Sequence, residues 1–83
     1  MMRARIDSLK GILFESEIKS LTVGTKSGEI TVLPNHRSLI TSLRPGAAKV
    51  IDMNGDEKYF EVKSGFLEVK NITNGTFLTL LVD

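Results

Sequence analysis

Apolar and polar residues alternate with a period close to two along most of the chain, and single glycines interrupt the pattern at short intervals. A period of two is typical of β-strands, because successive side chains point to opposite faces of a sheet. The pattern predicts an all-β fold with negligible helix. Short strands joined by tight turns favour a flattened antiparallel β-sandwich or barrel of about ten strands.

The first half of the chain contains one break in this alternation. Ile18 has the opposite parity to Leu21 and Val23, so a regular strand would place them on opposite faces. We therefore expect an irregularity near Lys19–Ser20. Pro34 lacks a backbone N–H and ends a later strand. The predicted strands of this half are residues 3–8, 11–14, 17–25, 29–33 and 39–43, and residues 35–37 form a loop.

A hairpin is predicted where residues 47–53 run into an asparagine-glycine-aspartate turn at residues 54–56. A loop of these three residues pairs Val50 with Phe60 on one face. A two-residue loop would instead oppose two like charges, Asp52 and Glu57. The pattern therefore favours the longer loop.

A second hairpin is predicted from residues 65–72 and 76–82, which flank an asparagine-glycine pair. A two-residue loop places Leu67 opposite Val82, so that large apolar side chains meet on one face. This hairpin is expected to supply much of the core.

Composition and charge narrow the classes of function. Residues 1–83 are expected to form a single domain. A core of this size gives only marginal stability, so we expect a partner to contribute to it. The net charge is +1 with scattered basic residues, which argues against nucleic acid as a partner. The chain has no cysteine, and its longest apolar run, residues 77–82, is far too short to span a bilayer as a helix. Residues 1–10 do not resemble a signal peptide.

Catalytic chemistry has few candidates in this sequence. His36 is the single histidine, and no cysteine or second histidine is available to complete a metal site with it. No serine lies in a nucleophile elbow, and the glycines do not form a phosphate-binding loop. The carboxylates Glu15, Glu17, Asp56 and Glu57 are expected to be solvated side chains. We therefore predict a binding protein with no catalytic residue, metal or cofactor.

Four segments, in order, resemble the family of the F-type ATP synthase epsilon subunit. The segment Gly28–His36 is similar to the family signature, with Thr31 and Asn35 at positions where glycine is usual. Asparagine is a reasonable substitute for glycine at position 35 because it tolerates the left-handed conformation. The other three segments are Phe14 with Ser16 and Glu17, residues 39–46 with their proline-glycine turn, and residues 64–69.

This resemblance implies a ten-stranded β-sandwich in the central stalk that binds the gamma subunit and the polar loops of the c-ring. Such a subunit couples ion-driven rotation to ATP synthesis and is not itself an enzyme. By position, Glu29 corresponds to a residue facing the c-ring, and His36 lies near the gamma contact. The implied partner-binding residues are Gly28, Glu29, Ile30, Pro34, Asn35 and His36. The alternative for Pro34 and His36 is that they only fix the conformation of the loop.

The resemblance also implies a location and a missing segment. A subunit of this kind is peripheral, at the cytoplasmic face of the bacterial inner membrane or the equivalent side of an organelle membrane, and meets the membrane only through its complex. Family members continue past the segment that residues 81–83 resemble into an inhibitory two-helix hairpin, which this sequence lacks, as a natural short form or a trimmed one. We therefore expect no inhibition of the hairpin type.

A free-standing β-sandwich that binds a ligand or peptide is the alternative function, and an esterase-like enzyme is the third. A sugar-binding module needs exposed aromatic side chains as stacking platforms. The aromatic residues here mostly lie in strands with a core pattern, and there is no tryptophan. They are Phe14, Tyr59, Phe60, Phe66 and Phe77.

Overall fold

Eight β-strands and no helix make up the computed structural model, which describes residues 1–83. The prediction of an all-β sandwich is confirmed, with eight strands where about ten were expected. The structure contains no helix that could span a membrane. The strands are β1 (Met2–Ser8), β2 (Gly11–Thr25), β3 (Gly28–Val32), β4 (Leu39–Leu43), β5 (Gly46–Asp52), β6 (Glu57–Val62), β7 (Gly65–Ile72) and β8 (Gly75–Val82).

Strand β2 explains part of the difference in strand number, because it is one strand of 15 residues where two were predicted. Its first half pairs with β1, and its second half pairs with β3 and β5. The register shifts between Ile18 and Ser20, as the break in alternation predicted. This irregularity lets Ile18 and Leu21 both face the core despite their opposite parity.

The sheet closes on itself through an unexpected pairing. Strand β1 pairs with β2 on one side and with β8 on the other, so that β1, β8, β7, β4 and β2 form a circuit. The β1–β8 pair is parallel, whereas an entirely antiparallel arrangement was predicted. Parallel neighbours need a long connection, and the first and last strands of the chain have the whole domain between them. Strands β3, β5 and β6 extend from the second half of β2.

One hydrophobic core of 16 buried residues lies between the two halves of the sandwich. It receives side chains from every strand. The rings of Phe14 on β2 and Phe60 on β6 pack at its margin with their centroids 5.3 Å apart. The core residues are Met2, Ala4, Ile6, Ile18, Leu21, Val23, Val32, Leu43, Ala48, Val50, Val62, Leu67, Val69, Leu78, Leu80 and Val82.

The β5–β6 hairpin has the predicted faces but not the predicted register. Val50 lies opposite Lys58 instead of Phe60. The backbone N–H of Asp52 donates to the carbonyl of Asp56, which moves the three-residue connection by one residue, from 54–56 to 53–55, and thereby shifts the pairing by two. Asp52 fits this position because its carboxylate accepts the backbone N–H groups of Asn54 and Asp56, each at 2.9 Å. The predicted register neglected this local stabilisation of the turn.

The β7–β8 hairpin also differs from its prediction by two residues. Leu67 lies opposite Leu80 and not Val82, and the connection is Thr73-Asn74. Gly75 is already in β8, where a Cβ atom would lie 2.8 Å from the carbonyl oxygen of Met1. The glycine is therefore required by the close approach of Met1, which precedes the neighbouring parallel strand β1, and not by the turn.

The outer side of this hairpin is open to solvent. The sequence pattern places Phe77 and Leu81 on the face opposite the core. Leu81 is 53% exposed, its neighbour Phe66 across the hairpin is 55% exposed, and Ile40 on the adjacent strand β4 is 72% exposed. Phe77 is half-buried. Phe66 and Leu81 are direct neighbours on this face, whereas Ile40 lies opposite Glu68, so exposed apolar side chains alternate here with polar ones.

Candidate partner-binding site

The predicted site residues Pro34, Asn35 and His36 form a tight turn directly after β3. The N–H of His36 donates to the carbonyl of Leu33 at 3.0 Å. Asn35 is the one non-glycine residue with a positive φ, at 70°. Proline followed by a left-handed residue matches a type II β-turn. Asn35 therefore adopts the left-handed conformation that asparagine was predicted to tolerate at this position.

Two side chains of the β7–β8 hairpin hold this turn in place. The hydroxyl of Thr76 accepts the backbone N–H of Asn35 at 2.8 Å and donates to Oδ1 of Asn71 at 2.7 Å. Nδ2 of Asn71 donates to the carbonyl of His36 at 2.7 Å and lies 3.4 Å from Oγ of Ser38. The turn is thus bonded to a rigid hairpin and is not a freely moving loop.

The half-buried imidazole of His36 bonds locally. Its Nδ1 lies 2.8 Å from the carbonyl oxygen of Arg37, and this bond requires a proton on Nδ1. The structure contains no group of three or more histidine, aspartate or glutamate side chains arranged to hold a metal ion. The geometry of His36 is therefore that of an oriented surface side chain.

Gly28, Glu29 and Ile30 occupy the start of β3. Gly28 has a φ of 126°, and its carbonyl accepts the buried hydroxyl of Thr25 at 2.7 Å. Glu29 is exposed, whereas Ile30 is half-buried against the core. The strand therefore presents Glu29 to solvent from a fixed backbone.

Arg44 borders Glu29, although no sequence pattern marked this arginine as part of the site. Its side chain lies across Gly24, the residue opposite Glu29 on β2. A Cβ atom at Gly24 would lie 2.7 Å from Nε of Arg44, so the missing side chain makes room for the arginine. The surface around Glu29 thus carries both signs of charge.

The predicted site residues divide into two groups at opposite ends of the β7–β8 hairpin. Glu29 lies beside the β2–β4 contact, where Leu43 pairs with Gly65 at the start of β7. His36 bonds to Asn71 near the turn at the other end. The first group lies at the start of β3, which is about 17 Å long at the usual rise per residue, and the second follows the end of this strand. An interface of standard size, about 800 Å² per partner, is wide enough to reach both groups.

Thr76 and Asn71 were missed by the sequence analysis, although one signal pointed to Thr76. Thr76 is the first residue of β8 whose side chain faces the core, and the later core-facing residues of this strand are apolar. A hydroxyl at a fully buried position needs a partner, so it indicates a polar contact with a neighbouring segment. No local pattern indicates which neighbouring segment Thr76 contacts. The apolar residues that follow it on the core face of β8 are Leu78, Leu80 and Val82.

An open groove of about 770 Å³ lies along β5 and β6, away from the predicted site residues. Tyr59, which borders it, is 61% exposed. The aromatic residues were expected to lie mostly in strands with a core pattern, but only Phe14 and Phe60 of the five pack against the core. Phe77 is half-buried on the outer face. Tyr59 and Phe66 are exposed. These two lie on strands that do not pair with each other, so they do not form one aromatic platform. The groove is lined by Pro45, Gly46, Ala47, Tyr59, Phe60, Glu61, Val62 and Lys63.

Comparison with known proteins gives consistent matches. Residues 1–76 match the family described as the ATP synthase delta/epsilon chain β-sandwich domain. The chain is 42% identical over 69 residues to the ATP synthase epsilon chain of Psychrobacter arcticus, covering 83% of this chain and 50% of the relative. It is 38% identical over 65 residues to that of Alkalilimnicola ehrlichii, covering 78% and 46%. The chain spans about half the length of the curated relatives it matches.

Solved structures show the same fold in two mitochondrial ATP synthases. A chain in the cryo-EM structure of the OSCP/F1/c-ring assembly of Euglena gracilis superposes with a TM-score of 0.85 at 20% identity, covering 95% of this chain and 48% of that one. A chain in the central stalk/c-ring structure from Tetrahymena thermophila gives 0.78 at 13% identity, covering 98% and 62%. At these identities the superpositions show the fold alone.

Proposed function

This chain belongs to the family of the ATP synthase delta/epsilon chain β-sandwich domain, and from that premise we propose that it is a non-catalytic central-stalk component. It binds the gamma subunit and the polar loops of the c-ring, so that ion-driven rotation is coupled to ATP synthesis. The observation that carries the proposal is the division of the site: Glu29 and the turn at His36 lie at opposite ends of β3, an arrangement that allows contacts with two partners.

The gamma subunit binds, on this proposal, to the outer face of β4, β7 and β8 and to the turn at His36. Phe66 and Leu81 lie at the open end of the β7–β8 hairpin, and the turn at His36 lies beside its other end. Ile40, Phe66 and Leu81 are each more than half exposed on that face. Burial of apolar surface supplies most of the affinity in interfaces of this kind. The turn at His36, which is bonded to this hairpin, adds hydrogen-bonding groups that fix the orientation of the contact.

The c-ring loops bind around Glu29 and Arg44, at the end of β3 that lies away from the turn at His36. Exposed charges at the margin of an interface contribute to orientation and association rate more than to affinity. Glu29 therefore sets the orientation of the sandwich on the ring. The chain is a peripheral subunit, at the cytoplasmic face of a bacterial inner membrane or the equivalent side of an organelle membrane, and is held there through its partners.

The first experiment is a binding titration of the chain with separately purified gamma subunit. We expect a one-to-one complex that is weakened about tenfold by Leu81→Ala and by His36→Ala, because each removes a side chain from the proposed contact. Met53→Ala is the matched control for an exposed apolar residue, since Met53 is 50% exposed in the β5–β6 turn. Absence of any complex with a cognate gamma subunit would contradict the proposal.

A second experiment separates the c-ring contact from the gamma contact. Glu29→Ala is expected to leave the affinity for isolated gamma within about twofold while reducing coupled ATP synthesis in membranes reconstituted with the variant. Glu15→Ala is the control, because Glu15 is an exposed carboxylate on the first half of β2. Equal effects of the two variants on ATP synthesis would remove the assignment of Glu29.

The alternative, a free-standing module that binds a ligand or peptide, has the groove beside Tyr59 as its site. Tyr59→Ala is expected to leave gamma binding unchanged. A chain that fails to bind gamma but loses binding to another protein or ligand on Tyr59→Ala would support this alternative.

A further inference from the structure

Thr76 is a fully buried threonine whose hydroxyl uses both its donor and acceptor capacity. It accepts the N–H of Asn35 at 2.8 Å and donates to Oδ1 of Asn71 at 2.7 Å. Valine has nearly the same shape and would suit the apolar core beside it. A polar group in such a position is costly unless it is bonded, so its bonds to the turn are the feature that distinguishes it from valine.

Asn71 completes a connected set of bonds between the hairpin and the turn. Its Oδ1 accepts from Thr76, and its Nδ2 donates to the carbonyl of His36 at 2.7 Å. Two successive residues of the turn, Asn35 through its N–H and His36 through its carbonyl, are therefore both held from the same hairpin. The structure leaves no buried side-chain polar atom without a partner.

The left-handed conformation of Asn35 gives these bonds a specific consequence. A non-glycine residue with φ of 70° is in a sparsely populated region, and such residues persist where the surroundings hold them. Asn35 is exposed, so no packing around its side chain supplies this support. The bonds from Thr76 and Asn71 add to the support given by the turn's own bond between His36 and Leu33.

We propose that Thr76 and Asn71 are positioning residues that set the conformation in which the turn at His36 is presented to the gamma subunit. This inference rests on the proposed function for its partner, but the positioning itself is a property of the chain alone. The surface recognised at this end is then composite, since it is formed by the turn after β3 together with the end of the β7–β8 hairpin.

The test removes the Thr76 hydroxyl and measures the turn directly. In Thr76→Val, amide hydrogen exchange of Asn35, followed by NMR, is expected to become about tenfold faster, because its N–H loses its acceptor. Thr76→Ser keeps the hydroxyl and is expected to restore slow exchange. Thr25→Val is the control for loss of a buried threonine hydroxyl, since Thr25 accepts the N–H of Ser27 at 3.2 Å. It is expected to speed exchange at Ser27 and not at Asn35.

The second measurement is the affinity of each variant for purified gamma subunit. We expect Thr76→Val to weaken binding about tenfold and Thr76→Ser to bind as the unmodified chain does. If Thr76→Val does not fold, Asn71→Ala tests the same set of bonds from an exposed position. The expected acceleration of exchange at Asn35 is smaller, because Thr76 still accepts its N–H, whereas the affinity for gamma should fall because the carbonyl of His36 loses its donor.

The outcomes separate the two proposals. Unchanged exchange at Asn35 in both Thr76→Val and Asn71→Ala would overturn the positioning role. Faster exchange with unchanged affinity would show that the turn is positioned for something other than gamma, which also overturns the inference. If the unmodified chain does not bind gamma at all, the proposed function fails, while the exchange data still decide whether Thr76 holds the turn.

Discussion

Gly65 and Gly46 have almost the same backbone conformation but different surroundings. Their φ values are 148° and 150°, in a region that residues with a side chain rarely adopt. A Cβ atom at Gly65 would overlap the carbonyl oxygen of Leu81 and lie 3.1 Å from the Cα of Val82. A Cβ atom at Gly46 would meet nothing within 4 Å. Alanine at these two positions therefore separates the cost of the dihedral angle from the cost of the overlap.

The expected losses follow from these two contributions. The unfavourable dihedral alone costs about 1–3 kcal/mol, so Gly46→Ala should lower the free energy of unfolding by that amount. Gly65→Ala has the same contribution and in addition must move the backbone of β8, where rigid atoms leave no space. We expect a loss of at least about 4 kcal/mol. A domain of 83 residues has a total of roughly 4–12 kcal/mol, so the loss is at least about a third of the total and, at the lower end of that range, all of it.

Urea unfolding followed by far-ultraviolet circular dichroism measures both variants against the unmodified chain. Gly46→Ala should retain a folded baseline with a lower midpoint, and Gly65→Ala should have a short folded baseline or none. Equal losses for the two variants would refute the reasoning, because the overlap with Leu81 would then contribute nothing. A folded Gly46→Ala is the control that keeps an unfolded Gly65→Ala interpretable.

Three further predictions concern other parts of the sandwich. Leu80→Ala should lower the free energy of unfolding by about 2–5 kcal/mol because Leu80 is fully buried, whereas Leu81→Ala should change it by less than about 0.5 kcal/mol; similar urea midpoints would contradict the assignment of faces. Asp52→Ala should cost about 2 kcal/mol, because two backbone N–H groups of the β5–β6 turn lose their acceptor, and Asp52→Asn should cost less in the same assay. The hydroxyl of Tyr59 donates to the carboxylate of Glu57, which raises the pKa of Tyr59 above its ordinary value of 10.0. Because the folded-state pKa is the higher one, this stabilisation is present at neutral pH and is lost as the pH rises through the raised pKa. Ultraviolet titration of this single tyrosine should show the raised midpoint, and Glu57→Gln should lower it; no change in Glu57→Gln would contradict the cause.

Local sequence chemistry predicted the parts of the candidate site that depend on neighbouring residues. Pro34 ended a strand, and Asn35 adopts the left-handed conformation for which the sequence marked it. The parity of Ile18 predicted the irregularity in β2. In each case the residues that decide the conformation lie within a few positions of one another.

The support of the site could not be predicted in this way. The bond from Asn35 to Thr76 spans 41 residues, and that from Asn71 to His36 spans 35. Their formation depends on how the β7–β8 hairpin is placed beside the turn. The position of Arg44 across Gly24 is likewise a contact between strands that no local pattern specifies.

The sequence by itself determined the fold class and which face of each strand is buried, because a period of two fixes parity. It did not determine register, since a shift of two residues leaves every side chain on the same face. Both hairpins differ from their predictions by that shift. In the β5–β6 hairpin the register follows from the local bonds of Asp52 to its turn, which the predicted register neglected. In the β7–β8 hairpin it is accompanied by a tertiary contact, the approach of Met1 to Gly75. The tertiary structure decided the parallel pairing of β1 with β8, because that contact joins the two ends of the chain, and alternation within a strand carries no information about its neighbour.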